Sequence, residues 1–90
     1  MFKREDVYKT IDGERRYQIN RWSSEFDDSE WSIGDWLIFI ERYVEEAKRY
    51  IGYEEQALSA IRKIAALAVA CMECNGISKR PGYEDDNLIK

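Results

Sequence analysis

Ninety residues and 10.7 kDa make one domain, and 44% hydrophobic content with five Gly and one Pro excludes both a disordered chain and a loop-built fold. Fourteen Lys and Arg stand against 18 Asp and Glu, a net charge of −4 that argues against non-specific nucleic-acid binding. The absence of His removes Ser-His-Asp and Cys-His catalysis and every imidazole metal ligand.

The first segment runs roughly from Glu5 to Trp22, with Val7, Ile11, Tyr17 and Ile19 as its apolar members. Their spacing fits one continuous helix poorly, and Gly13 lies inside it. Two arrangements stay open: one helix, or a short helix followed by a longer one from about Asp12. Residues 23–31 form a polar, acidic connection in which Phe26 and Trp31 are the expected anchors. Ser32 and Asp35 then have the spacing of a capping box, which predicts a helix start.

The second helix is expected over Ile33–Ile51. Leu37, Ile40, Val44, Ala47 and Ile51 recur at 3-4-3-4 spacing as one buried stripe, with Trp36, Phe39, Tyr43, Glu46 and Tyr50 as a second stripe beside it. An apolar arc this wide predicts packing on two sides. Gly52 is the expected end. A third helix follows from near Tyr53 to about Asn75, with Glu54 and Glu55 in its first turn and Gly76 after its last residue. From Ile64 to Met72 it is apolar on every face, which predicts a central helix. Five alanines between positions 60 and 70 permit close backbone approach, and both features point to a subunit interface on this helix, because 90 residues alone cannot easily surround it. A domain this size buries only about 60–65% of its unfolded surface, so a homo-oligomer, dimer or higher, is expected.

The expected fold is therefore an all-α helical bundle of three main helices, forming a single domain over 1–76, with a mostly irregular tail over 77–90 that Tyr83 could pin. Cys71 and Cys74 read as small apolar packing residues. Lys3, Arg4, Glu5 and Asp6 crowd the start, so no signal peptide is expected. The apolar run Ile64–Met72 is far shorter than the about 20 residues of a bilayer crossing. The expectation is a cytoplasmic protein with no membrane partner.

The candidate chemistry is acidic. Glu41 and Glu45 lie one turn apart on the second helix, with Glu46 less closely aligned. Such carboxylates can hold magnesium, and magnesium can hold phosphates; most Glu pairs at this spacing are simply a solvated face.

Three patterns in order carry a family resemblance. Glu14-Arg15, Gln18 and Trp22 form E-R-x-x-Q-x-x-x-W; Gly34-Asp35-Trp36-Leu37 and the helix through Glu41–Ala47 follow; the Ala-rich stretch over 65–70 comes last. Over Glu14–Gly76 this order resembles the short MazG-like proteins, including those of phages and prophages. The resemblance implies an all-α fold, dimers or tetramers of helical hairpins, and magnesium-dependent pyrophosphohydrolysis of nucleoside triphosphates. It also implies acidic motifs E-E-x-x-E on the second helix and E-x-x-D on the third. Glu41 and Glu45 match the outer acids of the first motif, with Arg42 between them; shifted by one, only Glu46 remains and Arg42 and Tyr43 take acidic positions. The third helix has no Asp or Glu between Gln56 and Met72, and its motif positions fall on Ser59 or Ala60 and on Arg62 or Lys63.

A cation at a metal position repels the metal but can neutralise a phosphate directly. The expectation is therefore non-hydrolytic binding of a nucleotide or cyclic nucleotide, without a cofactor. Arg42, Arg62 and Lys63 would serve phosphates, and Trp22, Trp36 or Tyr43 would stack on a base. A phage protein of this kind would sequester a nucleotide signal of host immunity. Two alternatives stand beside it. One is a structural or protein-inhibiting oligomer without a small ligand, in which Arg62 and Lys63 are solvated or pair with Glu41, Glu45 or Glu46. The other is a magnesium enzyme using Glu41, Glu45, Glu46 and Glu73.

Overall fold

In the computed structural model, which describes residues 1–22 and 30–82, three helices follow one another: α1 Arg4–Trp22, α2 Ile33–Lys48 and α3 Glu54–Asn75. No strand occurs among the described residues. The fold is an all-α three-helix bundle, as the periodicity predicts.

α1 is one continuous helix that passes through Gly13. A helical Gly costs about 1 kcal/mol relative to Ala, too little to break a helix that is docked on one side. The docked residues are Glu14, Arg15 and Gln18, all polar, which is why the apolar spacing alone reads poorly as a helix. Upstream of Gly13 nearly every residue is exposed, Ile11 being half-buried.

α2 begins with the expected capping box. The Asp35 backbone N–H donates to Ser32 Oγ at 3.2 Å, and the Ser32 backbone N–H donates to Asp35 Oδ2 at 2.9 Å. The helix stops at Lys48, short of the expected Ile51. The backbone N–H groups of Arg49, Tyr50 and Ile51 donate to carbonyls only three residues back, which tightens the chain out of α-geometry before Gly52. α3 ends where Gly76 donates to the Met72 carbonyl at 2.8 Å with φ of 101°.

α3 is the central element: it packs against α1 on one face and α2 on another, and no Cα atom of α1 comes within 8 Å of one of α2. The short turn over 49–53 makes α2 and α3 antiparallel, and Asn75 Nδ2 closes the far end by donating to the Trp31 carbonyl at 3.3 Å. The apolar core lies between these two helices. Trp36, Leu67 and Ala70 are fully buried, with Trp31, Phe39, Ile40, Tyr43, Cys71 and Cys74 packed around them. Trp31 meets Trp36 edge-on at 4.9 Å and Phe39 at 5.3 Å, so it anchors the connection as expected. Phe26, Tyr83 and the tail beyond Gly82 lie outside the described residues.

The structure corrects the reading of α2. Its inward face is centred on Trp36, Ile40 and Tyr43; Leu37 and Ile51, placed in the buried stripe by periodicity, are exposed. Among the described residues, one side of the wide apolar arc meets another helix, α3. The seam between α1 and α3 is polar, with Arg15 and Gln18 buried over it.

Candidate functional site

Because α1 and α2 sit on different faces of α3, two openings flank α3 and meet at one residue, Lys63. The first, about 160 Å³, is lined by Tyr43, Glu46 and Tyr50 from α2 and its following turn, and by Gln56, Ser59, Ala60 and Lys63 from α3. The second, about 460 Å³, is lined by Gly13, Glu14 and Tyr17 from α1 and by Arg62 and Lys63 from α3. Helical spacing explains the sharing: Ser59 and Lys63 are one turn apart on the strip of α3 left open between its neighbours.

The two cations at this place differ. Arg62 is committed: its Nε donates to Glu14 Oε1 at 2.7 Å and its Nη2 donates to Ser59 Oγ at 3.1 Å. Lys63 has no hydrogen-bond or ion-pair partner for its ammonium among the described residues, although its backbone carbonyl accepts from Gln18 Nε2 at 3.4 Å. Gln18 is itself buried, and its Oε1 finds no partner among the described residues. Beyond the groove, Arg15 Nε donates to Glu73 Oε1 at 2.6 Å, a second tie between α1 and α3.

The candidate ligand residues are thus divided. Tyr43 and Lys63 share one opening, and Arg62 and Lys63 share the other. Trp36 is fully buried in the core, with no face for a base. Arg42 lies on the outer side of α2, in a separate open depression with Ile38, Glu41, Glu45, Glu46 and Arg49. Trp22 is the last residue of α1, and its side chain lies outside the described residues. Of the alternative metal ligands, Glu45 holds Lys48 Nζ at 3.1 Å and Glu73 holds Arg15, while Glu46 faces both the groove and the outer depression. Among the described residues no three carboxylates or thiols converge on a common point as metal ligands would. Nor does Arg62 pair with Glu41, Glu45 or Glu46; its partner comes from α1.

Sequence reading missed Tyr17, Tyr50, Gln56 and Ser59 as lining residues. Ser59 was legible only as a lost acidic position, and its place beside Lys63 follows from one helical turn. Tyr17 and Tyr50 looked like packing residues, and both are exposed.

No protein-family model, no curated protein and no solved structure matches the chain. Among the described residues, no helix is long and apolar enough to cross a membrane.

Proposed function

We propose that this chain, as a homo-oligomer, binds a nucleotide-type anion without hydrolysing it, in the groove around Lys63. The observation that carries the reading is the position of Lys63: an ammonium without a protein partner among the described residues, where an opening lined by Tyr43 and Tyr50 meets one lined by Tyr17. Three chemistries needed for a nucleotide are adjacent there. The ammonium suits a phosphate, the Ser59 hydroxyl and the Gln56 amide suit polar edges, and the phenol rings suit a base. The resemblance to MazG-like phage proteins supports the ligand class, and the departure from their acidic motifs supports binding over hydrolysis. In a phage setting the use would be sequestration of a nucleotide signal.

Calorimetry in EDTA against linear and cyclic nucleotides tests this. A charge-assisted contact contributes about 1.5–3 kcal/mol, so Lys63→Gln should weaken binding by roughly 10- to 100-fold, and the bound nucleotide should be recovered intact by chromatography. Absence of heat across the whole panel rejects the reading, and magnesium-dependent release of pyrophosphate moves it to the enzyme.

A further inference from the structure

Among the described residues, α1 and α2 cover two of the three faces of α3. α1 takes the side of Arg62 and Ala66, and α2 takes the side of Leu67 and Cys71. The third side carries Leu58, Ile61, Ala65, Ala68 and Met72, spaced 3-4-3-4 along one straight stripe. Leu58, Ile61 and Met72 remain 66%, 55% and 47% exposed. The only charged residues of α3 between Gln56 and Met72 are Arg62 and Lys63, and both lie on other faces. A stripe that is apolar and uncharged over four turns of a central helix, with its large residues exposed and its alanines half-buried, calls for a partner helix.

We propose that this face is the interface with a second copy of the same chain, packed antiparallel on a two-fold axis through Ala65. The stripe is self-complementary about that residue. With α3 against α3, Ala65 meets Ala65, Ile61 of each copy lies over the small Ala68 turn of the other, and Leu58 of each meets Met72 of the other. Large residues at both ends with alanines in the middle let the two helices approach to about 8 Å while the ends stay filled. The area agrees. On the α2 flank away from Tyr43, Glu46 and Tyr50, helical phase places Ile33 and Leu37 beside the stripe, and both are exposed. Together with Leu58, Ile61 and Met72 they present on the order of 600 Å² of apolar surface per copy, close to the about 800 Å² per partner of a standard stable interface. The wide apolar arc of α2 thus finds its second side in another copy rather than in α1.

This inference gives a location to the self-association in the proposed reading and rests on it. It also leaves the Lys63 groove open, because the stripe and Lys63 face opposite ways on α3. The test combines native mass spectrometry with light scattering on the full chain. Wild type should have at least a dimer mass, and Ile61→Glu should lower it while circular dichroism stays unchanged, since Ile61 is exposed in the single chain. A cysteine at position 65, introduced as Ala65→Cys with Cys71→Ala and Cys74→Ala, should form a covalent dimer on mild oxidation, and Arg49→Cys in the same background should not. A monomeric wild type that binds nucleotide overturns the interface and the self-association and leaves the groove reading standing, and an oligomer that survives Ile61→Glu and fails to cross-link through position 65 overturns the interface alone. An oligomer of the expected kind that binds no nucleotide overturns the groove reading alone.

Discussion

Arg62 Nε stands 2.7 Å from Glu14 Oε1, a pair that ties α1 to α3, while the ammonium of the neighbouring Lys63, lining the same opening, has no partner among the described residues. The Glu14 side chain is only 10% exposed and that of Arg62 37%. Removing the guanidinium strands a nearly buried carboxylate. Full burial of both partners would make that loss about 3–5 kcal/mol, and the wetter Arg62 side lowers it to about 2–3 kcal/mol. Arg62→Met should show this loss in urea denaturation, and adding Glu14→Gln should restore part of it.

Trp36 is the largest fully buried side chain, and its indole N–H has no partner among the described residues. Trp36→Ala should cost about 3–5 kcal/mol by opening a cavity. Trp36→Phe should cost nearer 1 kcal/mol, because loss of an unsatisfied donor offsets part of the lost volume. Denaturation curves measure both. Calorimetry adds a separate check: folded Trp36→Phe should bind nucleotide as wild type does, and loss of binding would return Trp36 to the ligand site.

The Asp35 carboxyl is held below its ordinary value of 3.8 by the Ser32 backbone N–H first and the Ser32 hydroxyl second. A lowered folded value means that the charged form is favoured by folding. Its contribution is fully present above the unfolded value, near pH 4, and is lost as pH falls through the folded value. Asp35→Asn should therefore lower the melting temperature at pH 6, and the gap to wild type should close as pH drops below about 3.8. A gap that is constant from pH 6 to 3 would rule out the carboxylate as the cause.

Two glycines should respond in opposite directions. Gly13 sits inside α1 with open space where a Cβ would stand, so Gly13→Ala should stabilise by about 0.5–1 kcal/mol. Gly76 has φ of 101°, where an L side chain is strained, so Gly76→Ala should destabilise by about 1 kcal/mol or more. Thermal melts of the two variants check both signs.

Much of this was legible in the residues themselves. The Ser32–Asp35 box, the Gly76 stop and the apolar run of Ile64–Met72 depend on neighbours within a turn or two, so they announced the start of α2, the end of α3 and the central place of α3. Trp31 could be named as an anchor because a large aromatic in an acidic connection has few other uses. Other features depended on which face of a helix meets which neighbour. Periodicity marked two adjacent stripes on α2 but could not rank them, and packing against Leu67 and Ala70 chose Trp36 over Leu37. The same holds for the cations. Arg42, Arg62 and Lys63 are equivalent by type; the fold turned Arg42 to the outer side of α2, gave Arg62 to Glu14 across 48 positions of sequence, and left Lys63 between two openings. Local rules determined the start of α2 and the course of α3, because capping and periodicity act within a few residues, whereas the single run of α1 was not legible in its apolar spacing. Only the tertiary structure decided the groove, because ion pairing and burial are settled between helices.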